Sequence, residues 1–190
     1  MSAQEQANHD FSAGRHTDRE VAAAGVSRDL RYPASELLRN PGVPKNLSAS
    51  VTLDDLSCLD VSVLPAEPID IDIECVARGH TILVTGAIFT QWHGSCRRCL
   101  IDVSGALSLE VNEMYQQHPE DELIYPIANG MIDLEPLVRD VIVTELPLTP
   151  LCVPDCKGIC PVCGIDLNKE KCSCSASVDQ RWRALDSLKA

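Results

Sequence analysis

Ten cysteines in a chain of 190 residues are the groups best placed to do chemistry, and eight of them fall into two sets. The first is Cys96-Arg97-Arg98-Cys99. The second runs through Cys152, Cys156, Cys160, Cys163, Cys172 and Cys174. Within it, Cys160-Pro161-Val162-Cys163-Gly164 has the form of a metal knuckle. Two thiolates three positions apart bite one ion from a tight turn, and the glycine admits the positive φ that such a turn needs. A tetrahedral zinc ion takes four ligands, so one knuckle supplies half a site. Two completions are open. A local one adds Cys156 and either Cys172 or Cys174; a long-range one adds Cys96 and Cys99. Cys152 is a further candidate, and the eight thiolates together suffice for two four-sulfur ions. Cys96 and Cys99 stand either as ligands or as a reduced structural pair in a turn.

The remaining groups carry weaker signals. Cys75 lies on the apolar side of an alternating run and Cys58 has no near partner, so both read as small buried apolar residues. His80 and His93 read as solvated turn residues, with His93 close enough to Cys96 to be a minor ligand candidate. The cysteine spacing matches neither common ferredoxin pattern. The chain has no Gly-x-Ser-x-Gly elbow, phosphate-binding glycine loop or His-Glu-x-x-His helix, and a non-catalytic protein is expected.

The elements that must position the cysteines are β-rich. In Ile69-Asp70-Ile71-Asp72-Ile73-Glu74-Cys75 the period is two, which puts isoleucines on one face and carboxylates on the other. A turn at Arg78-Gly79-His80 leads to a β-branched strand over 81–90, whose Gly86 marks a bulge or a close backbone approach. Further strands are expected near 59–64 and 106–115. Short strands with tight connections predict an antiparallel sheet, meander-like or barrel-like. One or two helical turns follow Tyr32-Pro33 and stop at Asn40-Pro41-Gly42. Leu134, Leu137, Val138, Val141 and Ile142 share one helical face, which predicts a helix over 133–146 with Asp133 as cap and Pro147 beyond its end; the run Val141-Ile142-Val143 favours strand instead. Trp182, Leu185 and Leu188, with Asp179 as cap, mark a short terminal helix. The expected fold is α+β, organised as a disordered segment over 1–28, a core over 29–150, and a cysteine-rich segment over 151–190 that carries a metal knuckle and the terminal helix.

The net charge is -12, from 16 basic and 28 acidic side chains. Residues 49–134 hold fourteen of the acidic side chains and three of the basic ones. A bulk electrostatic grip on phosphates is thereby excluded. The N-terminus has no signal-like apolar stretch, and no run approaches the ~20 apolar residues of a membrane span. A cytoplasmic protein is expected, in which thiols stay reduced and bind metal rather than forming disulfides.

Cys96-Arg97-Arg98-Cys99-Leu100, Ile132-Asp133-Leu134 with the helix to Leu146-Pro147-Leu148, and Cys156-Lys157-Gly158-Ile159-Cys160-Pro161-Val162-Cys163-Gly164-Ile165-Asp166-Leu167-Asn168 together resemble the YceD family of large-subunit ribosomal RNA accumulation proteins. The likeness covers roughly residues 33–189. Asp179-Gln180-Arg181-Trp182 is similar to the family's entry into a C-terminal helix, with Gln180 where a proline is usual. The resemblance implies a cytoplasmic bacterial protein of ribosome biogenesis, needed for accumulation of the large-subunit RNA or its precursor, without established catalysis. It also implies that the Cys-x-Arg-Cys pair, Cys96 and Cys99, is the more general mark, and that zinc in the C-terminal block serves the fold.

An acidic sheet sits awkwardly with an RNA factor, and two resolutions are open. Arg97, Arg98, Lys157, Lys169, Lys171, Arg181 and Arg183 can form a local basic edge toward ribosomal RNA precursor, or the acidic sheet can engage a basic ribosomal protein or assembly factor. No membrane and no small-molecule substrate is indicated. Two rivals remain. One is an RNA-binding zinc module. The other is a redox switch of the regulated-chaperone type, in which Cys172-Ser173-Cys174 and Cys160-x-x-Cys163 release zinc on oxidation, although those proteins carry the two motifs in the opposite order.

Overall fold

The computed structural model describes residues 30–175 and residue 181. The expected lead-in over 1–28, the terminal helix with its Asp179 cap, and Arg183 lie outside those residues. In chain order the elements are β1 (Arg31–Pro33), α1 (Ala34–Leu38), β2 (Lys45–Val51), β3 (Ser57–Cys58), β4 (Val61–Ser62), β5 (Ile69–Arg78), β6 (Thr81–Ser95), β7 (Asp102–Gln116), β8 (Tyr125–Pro126), β9 (Met131–Asp133) and α2 (Glu135–Glu145).

The isoleucine–carboxylate alternation becomes β5, with Ile69, Ile71, Ile73, Cys75 and Ala77 buried and Asp70, Asp72 and Glu74 exposed. Beside it, β6 and β7 form an antiparallel hairpin fifteen residues long in each arm, in unbroken register from Thr81 opposite Gln116 to Ser95 opposite Asp102. β5 pairs with β6 through Phe89, β2 pairs with β5, and β4 pairs with β6 at His93. Since β7 fills one edge of β6 completely, β4 must occupy the edge that β5 vacates. The sheet is therefore an open antiparallel meander rather than a barrel, and among the described residues its only parallel pairing is β8 on the end of β7. The hairpin runs past its neighbours and carries Cys96 and Cys99 on its distal turn.

On the inner face, α2 buries Leu137, Val138 and Ile142. Asp133 Oδ1 accepts the Glu135 N–H at 3.1 Å, but the N-cap position is Leu134, without a side-chain cap bond, so Asp133 stands one residue ahead of the cap expected of it. Helix wins over strand across Val141-Ile142-Val143 because only the helical period places Ile142 with Leu137 and Val138 in the core. Tyr115 ties helix to sheet: its hydroxyl donates to the Asp133 carbonyl at 2.9 Å, and its ring stacks on Tyr125 at 5.2 Å. Cys75 is fully buried in this core and Cys58 is half-buried against it. Burial pushes the Cys75 thiol up to about 11. Among the described residues no helix is long and apolar enough to cross a membrane.

Gly86 lies opposite Ile73 in the β5–β6 ladder. It has φ +149°, and a Cβ there would stand 2.2 Å from the Asp72 carbonyl oxygen and 2.7 Å from the Ile73 Cα. Neither backbone can yield without breaking the ladder. Gly86→Ala is expected to destabilise the fold by about 3 kcal/mol, read as a lowered midpoint in denaturant unfolding. Gly79→Ala, also at positive φ but in open space, should cost only about 1 kcal/mol.

Candidate metal centres

Two turns of the chain share one backbone design. At the hairpin tip, the Cys96 N–H donates to the Ile101 carbonyl at 2.8 Å and the Leu100 N–H donates to the Cys96 carbonyl at 2.9 Å. In the C-terminal segment, the Cys160 N–H donates to the Ile165 carbonyl and the Gly164 N–H to the Cys160 carbonyl, both at 2.9 Å. Each turn places a residue of positive φ directly after its second cysteine: Leu100 at 62° and Gly164 at 74°. The glycine enters that region freely. Leu100 is held in it, exposed, by the turn around it.

The eight cysteines separate into two groups of four. Cys96, Cys99, Cys152 and Cys156 form one centre, and Cys160, Cys163, Cys172 and Cys174 the other; within each, all sulfurs lie within 4.8 Å of one another. Neither single-site completion expected from sequence matches this division. Cys156 sits with the hairpin tip and not with Cys160 and Cys163, and Cys96 and Cys99 take Cys152 and Cys156 rather than the C-terminal knuckle. The physical reason is the path of the chain after α2. It returns to the tip, where the Arg97 N–H donates to the Pro150 carbonyl at 2.9 Å and the Ile159 N–H donates to the Arg98 carbonyl at 3.0 Å. Cys152 and Cys156 are thereby delivered beside Cys96 and Cys99.

The donor sets fit metal ions. A tetrahedron with metal–sulfur bonds of about 2.3 Å has edges of about 3.8 Å. The Cys96–Cys156 and Cys99–Cys152 sulfur distances are 3.8 and 3.5 Å. The first centre is buried, with Cys96, Cys99 and Cys156 packed against Val103 and Ile159. The second is open, with Cys163 and Cys174 exposed.

Each centre divides its thiols between easily and reluctantly ionised members. Burial opposes ionisation of Cys96, but backbone hydrogen bonds at Cys152, Cys99 and Arg98 outweigh it and bring the thiol down to about 6. Backbone N–H groups of Cys163 and Val162 bring Cys160 to about 6 as well. Cys156 is also lowered: burial opposes this, but the Asn168 amide, whose Nδ2 donates to the sulfur at 3.4 Å, and the Gly158 N–H prevail. Burial and the neighbouring sulfurs push Cys152 up to about 12. Cys174 also rises to about 12, first through its hydrogen bond with Cys163 and then through burial. Cys99 and Cys172 are raised despite backbone hydrogen bonds at Ile101 and Cys174 that pull the other way. Like charges this close cannot all form, and a dication among the sulfurs removes that obstacle.

A short ribbon joins the centres. The Leu167 N–H donates to the Gly158 carbonyl at 2.9 Å, and Ile159 bridges to Asp166. Asn168 accepts the Lys157 N–H at 2.7 Å through Oδ1. Gly158 permits the close seat on the hairpin tip, since a Cβ there would stand 2.8 Å from the Arg98 carbonyl oxygen. Three of the cations expected to form a basic edge have partners within the chain. Arg98 Nη1 donates to the Cys156 carbonyl at 2.8 Å, Arg97 pairs with Asp60 at 3.3 Å, and Lys169 pairs with Asp166 at 3.3 Å. His93 is not the solvated turn residue expected: it stands on β6 with Nε2 buried, 3.8 Å from a Glu67 oxygen, and joins neither cysteine group. The role of Arg98 in clamping the ribbon escapes sequence reading, because its partner is a carbonyl 58 residues away.

The family described as Large ribosomal RNA subunit accumulation protein YceD matches residues 84–189. An uncharacterized protein of Mycobacterium tuberculosis is 33% identical over 177 residues, covering 87% of this chain and 84% of the relative. The chloroplastic "Large ribosomal RNA subunit accumulation protein YCED homolog 1" of Arabidopsis thaliana is 42% identical over 55 residues, which is 29% of this chain and 17% of that protein. The uncharacterized protein YlbN of Bacillus subtilis is 22% identical over 167 residues, covering 84% of this chain and 96% of its own. No solved structure matches.

The difference in burial sets an order of metal loss. A chelator is expected to strip the open centre first, so that elemental analysis passes through about one ion per chain before reaching none. Cys163→Ser should lose one equivalent with little change in core stability, whereas Cys99→Ser should loosen the hairpin tip as well, seen as faster amide exchange at residues 96–101. Acidification should release both ions, because protons compete for the thiolates. In the metal-free protein the depressed Cys96 and Cys160 favour the folded state above the ordinary thiol range, and that contribution is lost as pH falls through about 6. Thiolate absorbance of the reduced apoprotein, with and without these two cysteines, measures the titration.

Proposed function

This chain belongs to the YceD family, and from that membership we propose that it is a non-catalytic, cytoplasmic factor for accumulation of large-subunit ribosomal RNA, with a zinc ion in each cysteine centre. The carrying observation is the family match over residues 84–189, which spans both arms of the hairpin tip and the whole ribbon. Zinc is supported by the donor chemistry. Four thiolates in a tetrahedral, coordinatively closed arrangement suit a structural d¹⁰ ion that needs no redox partner.

The centres then serve the fold rather than a reaction. A bound ion in the first joins the hairpin tip to the segment after α2, and one in the second closes the ribbon on itself. The Arg97 and Arg98 contacts favour the same assignment, since both side chains hold protein groups at the tip. The partner most compatible with the exposed carboxylates of β5 is a basic ribosomal protein or assembly factor bound to the nascent large-subunit RNA.

Depletion of the protein from its own cells should lower the ratio of mature large-subunit to small-subunit RNA, quantified by probe hybridisation, with restoration by the wild-type gene. An unchanged ratio and unchanged precursor levels in the depleted cells would overturn the assignment. Cys96→Ser with Cys99→Ser should restore the ratio poorly, in proportion to lost soluble protein.

A further inference from the structure

One backbone edge of β7 is bonded to β6 along its entire length, whereas the other is paired only at Tyr115 and Gln116, by β8. The Ile127 N–H donates to the Gln116 carbonyl at 2.7 Å, so the backbone groups of Gln116 point toward that open side. By the two-residue period of a strand, those of Met114, Asn112, Glu110 and Ser108 point the same way. Among the described residues no strand pairs with them. β7 contains neither lysine nor proline, the usual guards of an exposed edge.

Beside this edge, α2 encloses a groove of about 470 Å³. Leu109 and Val141 line it together with four carboxylates, Glu110, Glu113, Asp140 and Glu145, and no lining side chain is cationic. Among the described residues none of the four is in an ion pair; Asp140 accepts the Tyr125 hydroxyl at 2.9 Å. Unpaired backbone groups call for another strand, and the carboxylates specify its charge. A second copy of this chain paired through β7 would set carboxylate against carboxylate, whereas a cationic strand meets opposite charge along the groove.

We propose that the groove between the open edge of β7 and α2 receives an extended, cationic segment of a partner protein. The segment adds as a strand to β7 through the backbone groups of Ser108, Glu110 and Asn112, and its Lys or Arg side chains on the α2 side face Glu113, Asp140 and Glu145, while Glu110 lies on the opposite face of the sheet. This deepens the reading of a basic protein partner and rests on it only for the setting. The binding test and the RNA measurement above fail independently, because one is read on purified protein and the other in cells.

The test is fluorescence anisotropy of the full-length, metal-loaded protein with a labelled peptide of alternating Lys and Val. Two further probes are the same peptide N-methylated at alternate residues and its Glu–Val counterpart. Two variants accompany them. Ser108→Pro removes an N–H that points away from β6, and so blocks the added strand without breaking the hairpin. Asp140→Lys with Glu145→Lys reverses charge at two exposed positions on the α2 side of the groove. The Lys–Val peptide is expected to bind, and each variant should weaken it by about tenfold or more, with the thermal midpoint of Ser108→Pro unchanged. The N-methylated and Glu–Val peptides should fail to bind. Equal binding of the N-methylated peptide would reduce the contact to charge alone and overturn the proposal, as would charge-reversal variants that bind normally or a Lys–Val peptide that does not bind at all. Displacement of the peptide by single-stranded ribosomal RNA, or self-association abolished by Ser108→Pro, would assign the edge to another occupant and overturn it equally.

Discussion

Four sulfurs within 4.8 Å of one another at the end of a fifteen-residue hairpin place strong demands on everything around them. Their charges can coexist only around a cation, so the polypeptide must deliver two of them on a turn and two from a segment more than fifty residues later. The unbroken register of β6 and β7 projects the turn beyond the rest of the sheet. α2 then reverses the chain toward it. Pro150, Gly158 and Arg98 complete the junction through backbone contacts that tolerate little change in side-chain size, most plainly at Gly158.

The second centre answers the same chemical demand locally and with less protection. Its knuckle repeats the hydrogen-bond pattern of the hairpin tip, but its remaining ligands come from Cys172 and Cys174 in the same segment, and half of its sulfurs face solvent. The pair of centres thus forms a graded device. An ion in the buried centre would tie the hairpin tip to the segment after α2, and one in the open centre would hold only the ribbon.

The acidic composition takes on meaning in three dimensions. Carboxylates of β5, with Glu110 of β7, line the outer face of the sheet, while Glu113 meets Asp140 and Glu145 of α2 across the groove beside an unpaired strand edge. Three of the cations near the metal centres, Arg97, Lys169 and Arg98, are held by Asp60, Asp166 and the Cys156 carbonyl. For a protein tied to ribosomal RNA accumulation, this arrangement favours contact through basic proteins over a phosphate grip.

Much of this was legible in the chain itself, for a physical reason in each case. The period of two in 69–75 and the period of 3.6 in 134–142 are local burial patterns, so β5 and α2 could be read directly, as could the close approach at Gly86. The knuckle at Cys160 and Cys163 was legible too, because a Cys-x-x-Cys-Gly turn is a local geometry, whereas Cys96 and Cys99 stayed open between metal ligands and a structural pair. What sequence left open was the division of eight thiolates into two sets of four. Spacing along the chain favours joining Cys156 to its neighbour Cys160, and only the return of the post-helix segment to the hairpin tip overrides that proximity. The open edge of β7 was hidden for the same reason. Whether a strand lacks a neighbour depends on where every other strand goes, a property of the assembled sheet that no single stretch of residues encodes.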